Sequence, residues 1–293
     1  MKKEEFLKTL YLKYEDLLEN YDFQKLVLKD LIEIGFVYVH EHFNNSVNKF
    51  PNMMLQMSLM KAKSVLKLSE GEFFQNNSKS DKPYIDIQSI SSVYRSLFEN
   101  YCFFNHLYIS DWSNEEFLLL ENIWRITSLN QRRKMLHKNP LLKKSKGFEV
   151  VMKDMEEIKR LKAEIEKSYL FIKNEKSIRK YISKNIWQLT IRKNKVLYIS
   201  WKEMYNRAIK NHNEEKKDYQ RFSLDTHPTF FSVFQFGDLY KNRHDLQRRS
   251  TVMYETIRLL SKYLNDFEKL LEAKPKIEKD SKYLIEFFGN RNI

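Results

Sequence analysis

The sequence predicts an all-α protein: an up-and-down helical bundle carrying a long basic helical hairpin or arm. Three observations predict it. Only 5 Gly and 5 Pro occur in 293 residues, too little turn punctuation for a sheet-rich chain of this size. Apolar residues recur at steps of three and four through most of the chain, the period of an amphipathic helix. Hydrophobic residues make up 42% and charged residues 31%, which supplies a core and a charged coat and is the composition neither of a disordered chain nor of a membrane protein. No repeat of fixed period is visible. The expected organisation is a single helical domain over 1–293, with 141–195 inserted in the bundle as a basic helical hairpin.

The elements follow in order. Phe6 to Leu18 and Phe23 to Phe43 are amphipathic, the second softened at Gly35. Pro51 opens a third helix, Met53 to Leu68, rich in Met and Leu. Ser69 to Lys82 is polar and reads as a loop. The strongest helix runs from Tyr84 to Ile109, where Ile87, Ile90, Tyr94, Leu97, Tyr101, Phe104 and Tyr108 define one buried stripe. Ser113 with Glu116 forms a capping box for the next helix, which ends near Leu136. Phe148 to Lys173 has a narrow apolar seam of Val151, Met155, Ile158, Leu161 and Ile165, suited to a hairpin arm or a dimer contact. A second basic helix, Ser177 to Leu189, is its return limb. Leu189 to Ile199 is the one strand-like run, too interrupted by basic residues to found a sheet. Helices are then expected over Leu197 to His212, over Asp218 to Tyr240 with a break at His227-Pro228, and over Asp245 to Glu272, with a short last one after Pro275.

Charge is distributed unevenly. The chain carries a formal +13, and residues 132–195 alone hold 20 Lys and Arg against 7 Asp and Glu. A stretch of this kind suits a polyanion, RNA first and DNA second, with Arg132, Arg133, Lys134, Lys143, Lys144, Lys146, Arg192 and Lys193 as the candidate contacts. The alternative is a solvated lysine-rich face. The single cysteine, Cys102, excludes a disulfide within the chain, no apolar run follows Met1-Lys2-Lys3-Glu4-Glu5 as in a signal peptide, and no membrane-spanning run is read along the chain, so cytoplasm is the expected compartment.

Several chemistries are disfavoured. There is no Gly-rich phosphate loop, no cysteine pair for zinc and no nucleophile elbow, so neither a cofactor nor a metal is expected. His40 and His42, two apart on a helix, face different ways. Three polar patterns remain. Arg95, Glu99, Cys102 and His106 step by four, three and four along the strongest helix. Tyr219, Ser223 and His227 share one helical face just before Pro228. The spacing from Arg to His across four residues occurs at Arg207 to His212 and at Arg132 to His137. In metal-independent RNA cleavage a His serves as general acid or base while an Arg stabilises the phosphate charge.

The run Ser92-Val-Tyr-Arg95-Ser-Leu-Phe-Glu99 resembles the R-S-x-x-E helix of a widespread group of bacterial helical proteins similar to the HEPN superfamily. The same group carries a later Y-x-x-x-S-x-x-x-H helix, matched here by Tyr219, Ser223 and His227. The resemblance covers residues 40–245. It implies a helical bundle, a homodimer, a place in phage defence or a toxin–antitoxin system, and in many members ribonuclease activity through an Arg-x(4–6)-His motif. Arg207 to His212 fits that spacing but departs from the motif at the residue after Arg, which is Ala208.

The expected function is therefore a HEPN-like effector acting on RNA, an endoribonuclease with Arg95, Glu99, Ser223, His227, Arg207 and His212 as its catalytic candidates. The alternative is a non-catalytic helical scaffold, sensor or antitoxin that binds nucleic acid or a cognate partner protein. Membrane-surface association is disfavoured by the narrow seam of 148–173.

Overall fold

The computed structural model describes residues 3–14, 20–73, 82–137, 146–209, 222, 224, 230–272, 275 and 277–290. The described helices are α1 (Lys3–Tyr14), α2 (Tyr21–Asn45), α3 (Phe50–Leu68), α4 (Ile87–Phe104), α5 (Asn114–His137), α6 (Lys146–Ile165), α7 (Tyr169–Ser183), α8 (Trp201–Ala208), α9 (Phe230–Lys241), α10 (His244–Phe267) and α11 (Lys279–Gly289). The described sheet is a two-stranded hairpin of β1 (Leu189–Arg192) and β2 (Lys195–Tyr198). The protein is all-α, a helical bundle with this one hairpin. The chain divides into two units, Met1–Asn105 with Ala208–Ile293, and His106–Arg207, so the second is inserted in the sequence of the first.

In the first unit α10 is the hub and packs on α2, α3, α4, α9 and α11. Val252 to Leu260 is buried without a break, so this helix is covered on every side. Its charges are matched inside the core: Arg258 reaches Glu255 at 3.1 Å, and Asp266 accepts from the Tyr101 hydroxyl at 2.7 Å and the Asn105 amide at 3.0 Å. The stripe read on α4 is buried as expected from Ile87 to Phe104. The helix starts at Ile87 rather than Tyr84, because the Asp86 side chain caps it by accepting from the Ser89 amide at 3.0 Å, while Tyr84 pairs with Glu72 in an antiparallel bridge. Gly35 does not interrupt α2. It lets α3 come close: a Cβ there would lie 2.3 Å from the Leu59 side chain.

In the second unit the Ser113–Glu116 capping box forms reciprocally, at 2.9 and 3.3 Å, and opens α5. Helix α6 packs on α5 through Val151, Ile158, Leu161 and Ile165, while Met155 is 42% exposed. The seam is thus covered by the chain's own α5. The long helix expected to Lys173 stops at Ile165, since Ser168 caps a new helix, α7, by accepting from the Leu170 and Phe171 amides at 3.1 and 3.4 Å. The run from Leu189 does form a sheet, contrary to the sequence reading. Lys193 and Asn194 both adopt positive φ, 48° and 61°, the backbone of a tight primed turn. Leu189, Thr190 and Ile191 face the core, and the basic residues that argued against a strand sit at its exposed positions.

Candidate functional site

Arg95 and Glu99 stand one turn apart on α4. Arg95 Nε donates to Glu99 Oε1 at 3.0 Å, with 27% and 31% of the side chains exposed. Beside them Tyr94 turns into the core and meets the ring of Phe222 edge-on, at 4.7 Å between centroids, and Phe222 is fully buried. The residue before Arg95 therefore packs on the residue before Ser223. Ser223 and His227 themselves, like Tyr219 and His212, lie outside the described residues. Cys102 does not join the pair, for it is buried in the core of this unit.

His106 belongs to the second unit, where a single π-helical turn, Asn105–Ile109, follows α4. Its Nε2 donates to the Leu189 carbonyl at 2.8 Å, its own carbonyl accepts from the Trp112 indole at 2.7 Å, and the two rings meet edge-on. Burial pushes its pKa down to about 4, so the ring is neutral at pH 7 and its one proton is committed to Leu189. It serves here as a fastener of the hairpin. His42 is likewise buried, against Phe267, whereas His40 lies on the exposed face of α2 beside Asn44. Among the described residues no group of His, Cys, Asp and Glu could hold a metal ion, and no described helix is long and apolar enough to cross a membrane.

Residues 106–207 carry 23 Lys and Arg against 12 Asp and Glu. The structure sorts these cations by type. Its arginines are mostly committed to carboxylates. Arg132 grips the buried Asp154 with Nε at 2.8 Å from Oδ2. Arg125 and Arg160 share Glu157. Arg179 pairs with Glu166 and Glu175 at 3.2 and 2.8 Å, and Arg192 pairs with Glu203. Arg207 donates to the Thr190 hydroxyl at 2.8 Å and to Glu203 at 3.4 Å, and burial, helped by Arg192, lowers its pKa from the ordinary value. A guanidinium so held ties α8 to β1. The lysines differ. Lys134, Lys153, Lys159, Lys162, Lys167, Lys176, Lys180 and Lys184 make no ion pair among the described residues.

Two of these lysines face one groove. Lys134 of α5 and Lys162 of α6 line a cavity of about 330 Å³ with Asn130, Ser183, Asn185 and the paired Glu166 and Arg179 as polar neighbours and Ile165, Phe171 and Ile182 as its apolar lining. Of the contacts expected from sequence, Lys134 is placed in this groove and Lys193 at the exposed hairpin turn. Arg133 is half-buried, Arg132 and Arg192 are engaged, Lys146 starts α6, and Lys143 and Lys144 lie outside the described residues. Lys162 was not among the expected contacts. Spacing gives no signal for it, because Glu166 stands four residues on along the same face and only the structure shows that carboxylate paired with Arg179. No protein-family model matches this chain, and neither a curated protein nor a solved structure is similar to it at a significant level.

Proposed function

We propose that the chain is a HEPN-like effector that binds RNA through residues 106–207 and cleaves it at a polar site on α4. The observation that carries the binding half is the division of labour among cations: arginines hold the unit together, and its excess charge is left on lysines that make no ion pair among the described residues, two of which, Lys134 and Lys162, line one groove. Ammonium groups of this kind act as point charges on phosphates and read no base, so the affinity should fall steeply with salt. The cleavage half rests on the resemblance. Arg95 would stabilise the phosphate charge, with Glu99 orienting it, and His227 would move the proton, with Ser223 beside it. The packing of Phe222 on Tyr94, the residue before Arg95, is the described contact nearest to this proposed site. A homodimer, a cognate partner, DNA as a second ligand, and a role in phage defence or a toxin–antitoxin system belong to the same proposal.

A second reading has its own support. Arg95 is paired with Glu99, and Arg207 is occupied by Thr190 and Glu203, as expected of structural rather than catalytic arginines. On that reading the chain is a non-catalytic RNA-binding scaffold, sensor or antitoxin. One experiment separates the two: cleavage of end-labelled single-stranded RNA by the wild type and by His227→Ala, both shown folded by circular dichroism. Cutting by the wild type alone supports the effector. Equal cutting by both removes His227 from the site, and binding without cutting, with or without divalent metal, selects the scaffold.

A further inference from the structure

A pocket in the bundle unit has no part in RNA binding or cleavage as read above. Its cavity is about 720 Å³, within the range of about 300–1,000 Å³ common for small-molecule sites. Three rings wall it. Tyr84 and Tyr240 stand 6.1 Å apart between centroids, and Phe236 meets Tyr240 edge-on at 4.8 Å. Carboxylates of Glu70, Glu72 and Asp86 join them, and the cation among the described lining residues is Lys67. Lys67 is already held by Glu70 at 2.5 Å. Among the described residues Asp86 bonds to the Ser89 amide and hydroxyl, neutral donors that leave its charge standing. Glu72 is exposed, and its side chain makes no ion pair or hydrogen bond among the described residues.

The walls are built in advance. Tyr240 is fixed by donating its hydroxyl to the Ile85 carbonyl at 2.7 Å. Glu72 and Tyr84 exchange backbone hydrogen bonds, each at 2.9 Å. That close approach needs Gly71, whose φ is +70° and whose Cβ, if present, would stand 2.6 Å from the Tyr84 carbonyl oxygen. One ring of the set already receives a cation: the Arg243 guanidinium stands 4.6 Å from the Tyr84 centroid, held by Asp245.

We propose that this pocket binds a free alkylpolyamine, of which spermidine is the simplest probe. Its ammonium groups would sit on Glu72 and Asp86, and its methylenes would lie across the rings of Tyr84, Phe236 and Tyr240. Rings beside carboxylates favour positive ligand charge, and an aliphatic stem between charges covers apolar wall as lysine stems do. The excess positive charge of residues 106–207 disfavours such a ligand there, whereas this pocket lies in the nearly balanced remainder of the chain.

The test is calorimetric titration of spermidine into the full chain, freed of nucleic acid and held at constant ionic strength. One saturable site is expected. Glu72→Gln and Phe236→Ala change exposed side chains and should each weaken it about five- to tenfold, with unchanged circular dichroism. Nα-acetyl-lysine amide, with one ammonium, should bind at least about tenfold more weakly than spermidine. Absence of saturable heat with spermidine overturns the proposal. So does wild-type affinity in both variants, and equal affinity for the lysine amide overturns the polyamine assignment.

Discussion

In the bundle unit the pair Glu255–Arg258 is 7% exposed on each side, whereas in residues 106–207 Arg160 is 51% exposed beside Glu157 at 30%. The difference extends to net charge. Residues 106–207 carry 23 Lys and Arg against 12 Asp and Glu, and the rest of the chain is close to balance. The bundle unit uses charge inside, where each group must have a partner because desolvation is costly. The inserted unit keeps most of its charge at the surface and leaves its lysines over. The two proposed ligands follow this contrast: a polyanion for the inserted unit and a polycation for the bundle unit.

The largest effect should come from breaking a buried pair. Arg258→Ala leaves Glu255 charged in the core and should cost about 3–5 kcal/mol, read by urea unfolding. Arg160→Ala, which takes one of its two arginine partners from Glu157 and the arginine partner from Glu164, should cost less than about 1 kcal/mol. Equal costs would erase the contrast between the units.

Acid sharpens the comparison next. His106 has its pKa held down to about 4 by burial, below the ordinary histidine value, so the unfolded chain takes up that proton first. Its contribution is complete above about pH 6.5 and is lost as pH falls to about 4, some ~3 kcal/mol in all. His42 in the bundle unit is also pushed down by burial. Urea midpoints at pH 7, 5 and 4 should fall in wild type and fall less in His106→Gln, whose amide can still donate to the Leu189 carbonyl. A parallel fall in both proteins would assign the acid sensitivity elsewhere.

What was legible in the sequence follows the range of the interactions. The α4 stripe and the Ser113–Glu116 box are local, and both stand where the spacing put them. The hairpin was missed because its turn, Lys193-Asn194, lacks glycine and its outward residues are basic. The burial of α10 was hidden by Glu255, Arg258 and Asp266, for Asp266 is satisfied by Tyr101, 165 residues away. Arginine commitment was half legible: Arg160 and Arg179 have carboxylates at helical spacing, but Asp154, which engages Arg132, lies on another helix. Gly35 read as a weak point of its helix, since its role depends on Leu59 of a neighbour.

That close approach gives the third test. Gly35→Ala places a methyl into Leu59, and the helix pair must separate or Leu59 must leave its rotamer, at about 1–3 kcal/mol. Helix propensity favours Ala by about 1 kcal/mol and offsets part of this. The measured sign decides between the two: stabilisation would mean that α2 and α3 accommodate the methyl freely.

The smallest effect concerns the lysines of the inserted unit. Lys134→Ala and Lys162→Ala remove exposed ammonium groups with no ion pair among the described residues, so stability should change by less than about 0.5 kcal/mol. If they contact RNA phosphates, each should reduce the slope of log affinity against log salt by about 1 and weaken binding alike on unrelated sequences. Fluorescence anisotropy with two RNAs at several salt concentrations reads both quantities. Arg160→Ala is the control: it removes the same formal charge from the helix that carries Lys162, but a charge already shared with Glu157 and Glu164. Its removal also releases Glu164 and leaves Glu157 with Arg125 alone, so a net-charge effect alone would make the arginine variant at least as damaging as the lysine variants. A larger loss on the lysine side is what a local groove requires, because only charges within about 10 Å of a phosphate act on it strongly at 0.1 M salt.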